Sequence, residues 1–340
     1  MSDNGHNKKT PLSRREFIVK TGLATAVTAG LGYMALAPED FPLSRKDQSG
    51  LRSRPEPQLY TLDDFRVRVD ADLAQIGVGR NGNAAQVLRK ALDAIGGLQA
   101  YIKPGDVVLV KPNVAFDRSP QFGATTHPDT LSALIRMLYG ECGASEVRVA
   151  DNPIESPADC FIKSGIRPAV EEAGGRVYLP DGNSFVQLHT PDAKLIKSWS
   201  FFQRPFEGVT KVIGLAPVKD HNLSGASLGI KNWYGLLGGK RNQFHQDIHQ
   251  IISDLSLMIK PTLTILDGTR VLMRNGPTGG ILSDVLQKQT IVAGVDPVAV
   301  DAWAYTHLLE RGSRLPEYLF KAEQNGSGSI DSEGRIKEIV

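Results

Sequence analysis

The stretch from Lys219 to His249 concentrates side chains that can bind anions, hold metal ions or move protons. It contains three of the seven histidines of the chain. Three short motifs carry these side chains: Lys219-Asp220-His221, Gly229-Ile230-Lys231-Asn232 and His245-Gln246-Asp247-Ile248-His249. Lysine binds carboxylate or phosphate as a point charge, and histidine is both a common metal ligand and a proton-transfer group near neutral pH. The stretch is therefore typical of an active site or a metal site, although it identifies no reaction.

Polar side chains also follow five short apolar runs that predict buried strands. The runs cover residues 107–110, 147–150, 212–216, 263–266 and 291–295, and their lengths suit strands that are buried on both faces of a sheet. The residues that follow them are Lys111-Pro112-Asn113, Asp151-Asn152, Lys219-Asp220-His221, Asp267-Gly268 and Asp296-Pro297. Ligands of open α/β sheets bind at the carboxyl ends of strands, so these groups are predicted to converge on one crevice. The three aspartates have an alternative role as turn formers or helix caps.

Helical patterns lie between several of the apolar runs. One begins at Pro128, where Pro in the first turn and Asp129 beside it are start signals, and its apolar residues recur at i, i+3, i+4 and i+7 from Leu131. The alternation predicts an α/β fold in which helices flank a mostly parallel sheet in Rossmann-like layers. We expect either two lobes, 60–205 and 206–340, with a cleft between them, or one continuous domain.

A GxGxxG pattern occurs at Gly77-Val78-Gly79-Arg80-Asn81-Gly82, ahead of a helical stretch from Ala84 to Ile95. In a dinucleotide-binding fold this loop would follow a clear strand, and the next strand would end in an acidic ribose ligand. The preceding strand pattern is poor, and the next strand ends in Lys111 instead. A flexible turn is therefore the better interpretation.

Residues 1–37 resemble a twin-arginine export signal. Ser13-Arg14-Arg15-Glu16-Phe17-Ile18 precedes Lys20 and a weakly apolar run rich in Thr, Gly and Ala. The resemblance implies a periplasmic or other extracytoplasmic protein that crosses the membrane already folded. The segment is either cleaved after Ala37 or kept as an N-terminal anchor, which is the one predicted membrane contact. Residues 38–59, with four prolines and many charges, are predicted to be a linker.

Charge and cysteine content exclude some classes of function. Residues 1–37 hold five Lys/Arg and two Asp/Glu, a net of +3, which leaves about −1 for the remainder of a chain whose total is +2. A near-neutral remainder argues against nucleic-acid binding. Cys142 and Cys160 are the only cysteines and form no CxxC pattern, so an iron–sulfur cluster would need other ligands or a second subunit. Two buried thiols or one disulfide are expected instead.

The candidate site residues fall into three roles. The catalytic candidates are His221, Lys231, Lys111 and Lys219. The candidates for substrate binding are Asn113, Asn232, Thr126, His127 and Asp151. The candidate metal ligands are His221, His245, His249, Asp267 and Asp296, with a divalent metal as the predicted cofactor. His245 and His249 are one helical turn apart, so both are expected to reach one ion, unless they only cap the first turn of their helix.

Seven motifs occur in order across most of the chain beyond residue 60. They are 107–113 (Val-Val-Leu-Val-Lys-Pro-Asn), Thr126-His127-Pro128, Lys219-x-His221, 229–235 (Gly-Ile-Lys-Asn-Trp-Tyr-Gly), Asp267-Gly268, Gly276-Pro277 and 296–302 (Asp-Pro-Val-Ala-Val-Asp-Ala). Through them the chain, from about Leu73 to about Leu309, resembles domain of unknown function family 362. The resemblance implies an α/β domain without an established activity. Some members carry appended ferredoxin-type cysteine motifs, which this chain lacks, so a redox role would depend on a partner protein or another cofactor.

The order of these groups is also similar in outline to nickel-pincer lactate racemases. That resemblance implies proton or hydride transfer on a 2-hydroxy acid. We therefore expect an exported, metal- or cofactor-dependent enzyme, either an oxidoreductase or racemase-like, that acts on a small anionic substrate. The alternative is a periplasmic protein that binds or matures a metal, cluster or anion without turnover. The sequence leaves the oligomeric state open.

Overall fold

The computed structural model of the chain describes residues 59–340. The predicted export signal at 1–37 and the predicted linker, apart from Leu59, lie outside the described residues. Within residues 59–340, none of the helices has the length and apolar character needed to cross a membrane.

Most strands of the described residues belong to one mixed sheet. The strands are β1 (Ile76–Arg80), β2 (Val107–Lys111), β3 (Glu146–Ala150), β4 (Arg176–Tyr178), β5 (Phe185–His189), β6 (Ser198–Phe202), β7 (Lys211–Lys219), β8 (Leu263–Leu272), β9 (Val285–Leu286), β10 (Thr290–Gly294) and β11 (Ile336–Ile339). The order across the sheet is β11-β1-β10-β8-β7-β2-β3-β4, with β9 paired to β8, while β5 and β6 form a separate hairpin. All five apolar runs identified in the sequence are strands of this sheet. The predicted α/β fold with a mostly parallel sheet is confirmed.

The pairing directions decide which strand ends meet. Strands β8, β7, β2, β3 and β4 are mutually parallel, so their carboxyl ends lie at one edge. Strand β10 is inserted antiparallel between β8 and β1, so the residues that follow it emerge at the opposite edge. Strand β2 pairs directly with β7, which means that a single sheet includes strands from both predicted lobes, 60–205 and 206–340.

Eight helices of the described residues connect these strands. They are α1 (Ala84–Ala94), α2 (Pro128–Gly140), α3 (Pro157–Lys163), α4 (Ile166–Glu172), α5 (Gly229–Asn232), α6 (Ile248–Met258), α7 (Pro297–His307) and α8 (Glu317–Gln324). The predicted start of α2 is confirmed, with Pro128 in its first turn and the His127 side chain accepting a hydrogen bond from the Asp129 amide at 3.1 Å.

Strand β2 shows why the central strands read as continuous apolar runs. Val108 and Val110 pack into a cluster with residues of α1 and α2, whereas Leu109 packs into a second cluster on the other face with Trp233 and residues of α6. All three β2 side chains are fully buried. Burial of each contributes about 1.5–3 kcal/mol to the stability of the fold. A strand covered on both faces has no polar position to give an alternating pattern.

The GxGxxG segment is a strand and not the flexible turn that its glycines indicated. Residues 76–80 form β1, which pairs with β10 and β11. A Cβ on Gly77 would lie 2.1 Å from the carbonyl oxygen of Ala91, and one on Gly79 would lie 2.2 Å from that of Val87. The glycines therefore let α1 pack directly against the backbone of β1, and this close approach is their structural role.

Candidate functional site

A cavity of about 310 Å³ opens at the carboxyl ends of β2, β3 and β7. One wall consists of residues at or just beyond these strand ends, and the opposite wall comes from α5 and the 3-10 helix Arg241–Asp247. The polar groups that line it include Lys111, Asn113, Asp151, Lys219, His221, Lys231, Asn232, Arg241 and His245. The predicted convergence of strand-end residues thus holds for β2, β3 and β7.

A buried ion pair joins two of the strand ends. The ammonium of Lys111 lies 2.8 Å from Oδ1 of Asp151, and both side chains are almost fully buried. Asp151 also accepts the backbone amide of Val114 at 2.6 Å and that of Asn152 at 3.0 Å. Burial lowers the pKa of Lys111, and the neighbouring Asp151 carboxylate opposes that shift. Both charges are occupied with each other, so the pair frames the cavity rather than offering Lys111 as a free catalytic group.

Asn232 joins this pair to the opposite wall. Its Oδ1 accepts from Lys111 Nζ at 2.8 Å and from Asn113 Nδ2 at 3.1 Å. Its Nδ2 donates to the carbonyl oxygens of Lys111 at 3.2 Å and Pro112 at 3.3 Å. The two lone pairs and two protons of the amide are all used. Asn113 and Asn232, predicted to bind substrate, both line the cavity, but the Asn232 amide has no hydrogen-bonding group left for a ligand.

Lys219 is a second buried cation at a strand end. Its ammonium donates to the carbonyl oxygen of Ala124 at 2.5 Å and to Oδ1 of Asn113 at 3.2 Å, and lies 5.1 Å from the ring centre of Phe116. Burial, with further repulsion from Lys231 and Lys111, lowers the pKa of Lys219 well below its usual value, although Asp151 opposes the shift. Two hydrogen bonds leave the third ammonium proton for a ligand.

His221 is held in one tautomer by the turn that follows β7. Its Nδ1 accepts the backbone amides of Leu223 at 3.2 Å and Ser224 at 3.3 Å. Burial, with Lys231, Lys219 and His245 nearby, lowers the pKa of His221 to about 2. A neutral imidazole that accepts at Nδ1 carries its proton on Nε2. His221 is therefore suited to donate a hydrogen bond, and not to bind a metal through Nε2 or to take up a proton there.

Lys231 is the cation with the fewest internal contacts. It is half-buried, and its ammonium lies 5.4 Å from the ring centre of Tyr234. Among residues 59–340, no carboxylate forms an ion pair with it and no hydrogen-bond acceptor is in place for it. Burial, together with repulsion from Lys111, lowers the pKa of Lys231 to about 8. A fraction of this side chain is then a neutral amine near neutral pH, which suits a general base.

Arg241 and Tyr234 belong to the cavity but were missed by the sequence analysis. The Arg241 guanidinium donates to the carbonyl oxygens of Asn152 and Pro153, both at 2.8 Å, and lies 5.3 Å from the Tyr234 ring centre. These contacts bring a fourth cation to the wall without a carboxylate partner. Arg241 lies in the cation-rich stretch from Lys219 to His249, which could have indicated its role. Its contacts with Asn152 and Pro153 could not be predicted, because these residues are far from it in sequence.

The five predicted metal ligands do not come together. Only His221 and His245 line the cavity, and His249, on α6, borders a separate pocket with its ring stacked at 6.3 Å from that of Tyr318. The helix containing His249 begins at Ile248, whereas His245 belongs to the preceding 3-10 helix, so the two histidines do not share one helical face. Within the part of the chain that the structure describes, no three His, Cys, Asp or Glu side chains form a metal-binding group. The donor set therefore does not fit the predicted metal centre.

Asp296 takes the alternative role of a helix cap, whereas Asp267 is neither a turn former nor a helix cap. Asp267 lies inside β8 and accepts from the hydroxyls of Thr130 at 2.6 Å and Thr269 at 2.5 Å. Asp296 follows the antiparallel strand β10 at the far edge of the sheet, where it accepts the amides of two α7 residues at 3.0 Å and pairs with Arg335 at 2.9 Å. Both carboxylates are structural.

Thr126 and His127 do not reach the cavity, contrary to the sequence prediction. The Thr126 hydroxyl is fully buried, accepts the amide of Asn113 at 2.8 Å and donates to the carbonyl oxygen of Leu215 at 2.8 Å. His127 caps α2 and contacts Arg270. Cys142 and Cys160 are buried free thiols, and burial raises their pKa values to about 11 and about 12, which keeps both protonated.

The fold and the cavity define an α/β protein with a cationic pocket at the carboxyl edge of its sheet. The family model described as "Domain of unknown function (DUF362)" matches residues 108–306, more than half of the chain. The chain belongs to this family.

One curated relative and two solved structures share low sequence identity with the chain. A thylakoid-associated protein of Synechocystis sp. (strain ATCC 27184 / PCC 6803 / Kazusa) is 27% identical over 238 residues, covering 65% of this chain and 68% of the relative. A Thermotoga maritima crystal structure aligns with 15% identity and a TM-score of 0.39, over 68% of this chain and 59% of its own. The lactate racemase apoprotein of Thermoanaerobacterium thermosaccharolyticum aligns with 14% identity and a TM-score of 0.34, over 62% and 54%. These structural likenesses carry no functional argument.

Replacement of Gly235 by Ala is expected to disrupt the ion pair. The new Cβ would lie 1.9 Å from Oδ1 of Asp151 and 2.6 Å from Nζ of Lys111. Overpacking of this kind should lower the free energy of unfolding by about 1–3 kcal/mol in urea titrations. Gly140→Ala, at the end of α2 with no atom within 4 Å of its Cβ, is the control and should leave stability unchanged or slightly higher. Equal stability of the two variants would contradict the tight contact.

The tautomer of His221 can be tested by nitrogen NMR of the imidazole. The ring should stay neutral, with its proton on Nε2, from about pH 5 to about pH 8. His221→Asn retains an acceptor near the position of Nδ1 and should keep the turn, whereas His221→Ala removes it and should lower stability by about 1–2 kcal/mol. Titration of the ring near pH 6.5, the usual pKa of histidine, would show that this assignment is wrong.

Proposed function

We propose that this protein binds a small polyanionic ligand in the cavity and acts on it as an enzyme, with Lys231 as the proton-transfer group. One observation carries the proposal: Lys219, Lys231 and Arg241 line the cavity without carboxylate partners among the described residues, whereas Asp151 is paired with Lys111. Three uncompensated cations in a half-enclosed space are costly unless an anion offsets them.

The cation count and the size of the cavity limit the class of ligand. A ligand with two or three negative charges, such as a dicarboxylate or a phosphate monoester, would balance Lys219, Lys231 and Arg241. The volume of about 310 Å³ lies at the lower end of the range for small-molecule sites, roughly 300–1,000 Å³. Phe116, Ile154 and Leu223 line the same cavity and offer contacts for an apolar part of the ligand.

The remaining groups support proton transfer as the reaction. The neutral fraction of Lys231, which becomes smaller when an anion binds beside it, can accept a proton from the bound ligand. The Nε2 proton of His221 can stabilise negative charge that develops on a ligand oxygen. Lys219 and Arg241 would hold the anionic group during this step. These roles support proton abstraction next to a carbonyl or carboxylate as the reaction.

Proton uptake on binding tests the proposal with sulfate, a dianion that does not titrate near neutral pH. An anion beside Lys231 should raise its pKa, so binding should take up protons above about pH 8 and the affinity should fall as the pH rises through that value. Lys231→Met should remove this uptake and weaken sulfate binding by about tenfold or more. Calorimetry in two buffers of different ionisation enthalpy measures both quantities.

The matched control is Lys240→Met, since Lys240 is an exposed cation outside the cavity. This variant should retain both affinity and proton uptake. If neither sulfate nor phosphate, malonate or citrate binds to the unaltered protein, the polyanion assignment is overturned. Binding with proton uptake but no chemical change in any member of a carboxylate and phosphate-ester panel would assign the protein to the binding proteins instead.

We also propose that the protein works outside the cytoplasm. The twin-arginine-like motif at residues 13–20 and the thylakoid-associated relative support this location. Replacement of both Arg14 and Arg15 by Lys in the full-length chain should leave it in the cytoplasmic fraction of a host with the twin-arginine pathway. Unchanged fractionation of this variant would remove the export assignment and would leave the cavity chemistry unaffected.

A further inference from the structure

A buried carboxylate from a distant part of the chain holds the segment that carries Lys231. Asp301, on α7, is fully buried. Its Oδ1 accepts the backbone amide of Gly229 at 2.8 Å, and its Oδ2 accepts that of Ile230 at 3.1 Å. These are the first two residues of α5, and the next two, Lys231 and Asn232, enter the cavity.

Among residues 59–340, no other side chain accepts the amides of Gly229 and Ile230, and the backbone there has no free space. Leu228, which precedes the helix, provides no side-chain hydrogen bond to its first turn. A Cβ on Gly229 would lie 2.6 Å from Cγ2 of Thr264 on β8 and 2.9 Å from Oδ1 of Asp301. The backbone is therefore confined between β8 and α7, and the two carboxylate oxygens set its position.

We propose that Asp301 is a positioning residue of the cavity, whose ionised carboxylate fixes the backbone from which Lys231 reaches the ligand and Asn232 reaches Lys111. The inference rests on the proposed function. It adds a residue that never touches the ligand and that lies outside every role assigned from the sequence.

The carboxylate is costly where it lies, which argues for a role beyond stability. Burial raises the pKa of Asp301 to about 7, with Asp296 adding to the shift, while the amides of Ile230 and Gly229 and the hydroxyl of Tyr318 oppose it. Tyr305, on the same helix, and Tyr318, on α8, also lie beside Asp301, and His249 of α6 stacks on the Tyr318 ring. Because the folded-state pKa lies above the usual value, the contribution of Asp301 to stability falls as the pH rises from about 4 to about 7 and is level above that.

Asp301→Asn separates positioning from stability, because the amide resembles the protonated acid in shape and charge. It keeps one acceptor oxygen but turns an NH₂ group toward one of the two backbone amides. Above about pH 8 we expect the variant to be at least as stable as the unaltered protein, yet to bind sulfate about five- to thirtyfold more weakly. Below about pH 6, where Asp301 itself is protonated, the two proteins should bind sulfate alike.

Asp254→Asn is the matched control. Asp254, on α6, is also fully buried and accepts two consecutive backbone amides, from Leu195 at 2.6 Å and Ile196 at 3.2 Å, but that loop does not line the cavity. This variant is expected to change the unfolding curve without changing the sulfate affinity at any pH. Asp301→Glu, which retains the charge, should recover part of the affinity that Asp301→Asn loses.

A ligand-independent measurement keeps this inference distinct from the proposed function. Lysines of the full-length protein are dimethylated with ¹³C, and the Lys231 signal is assigned by its loss in Lys231→Met. Asp301→Asn should change the titration of that signal, whereas Asp254→Asn should not. If the unaltered protein binds no anion but the signal responds, positioning stands and the proposed function fails. If sulfate binds and Asp301→Asn changes neither affinity nor the Lys231 titration, positioning by Asp301 is overturned.

Discussion

The buried contact between Lys111 and Asp151 is the interaction on which the cavity depends. It joins the ends of the neighbouring strands β2 and β3, and Asn232 extends it to α5 on the opposite wall. Lys111 and Asp151 satisfy each other's charge, and both sides of the Asn232 amide are hydrogen-bonded within the wall. Breaking such a pair on one side typically costs about 3–5 kcal/mol, because a charge is left buried without a partner. Gly235 packs so closely against both side chains that there is no room for a Cβ atom at this position.

Beside the neutral Lys111–Asp151 pair, the cavity is lined by three further cations. Lys219, Lys231 and Arg241 share the cavity, and burial lowers the pKa of each. Repulsion from Lys231 and Lys111 lowers the pKa of Lys219 further, and repulsion from Lys111 does the same for Lys231. A fold selected for stability alone has no reason to keep such a cluster, since desolvated like charges oppose folding. Asp301 is likewise a buried charge that is kept despite its desolvation cost, although its charge is negative. Its carboxylate accepts two consecutive backbone amides of α5. Both features are consistent with a site whose electrostatics are set for an anionic ligand rather than for the unliganded protein.

The orientation of single strands decided which candidate residues became neighbours. Strands β2, β3 and β7 are parallel, so Lys111, Asp151 and Lys219 meet at one edge as the sequence predicted. Strand β10 gives the same apolar signal but is antiparallel, and Asp296 is therefore at the opposite edge as a helix cap. A continuous apolar run predicts a strand that is buried on both faces of a sheet. It does not predict the direction of the strand, because parallel and antiparallel strands are buried alike. The direction depends on the order of the strands, which no local pattern contains.

The sequence by itself determined the α/β class, the five central strands, the start of α2 and the stretch that supplies most of the cavity's polar groups. These features depend on short-range properties, namely apolar runs, cap residues and the chemistry of individual side chains. Only the tertiary structure decided that Asn113 and Asn232 are hydrogen-bonded to each other within the cavity wall. It also decided that Arg241 lines the cavity whereas His249 does not, and that Asp301 binds the backbone of α5. Each of these outcomes depends on contacts between residues far apart in the chain. The tautomer of His221 belongs to the same group, because it follows from how the backbone amides of Leu223 and Ser224 close around the ring once the turn after β7 has formed.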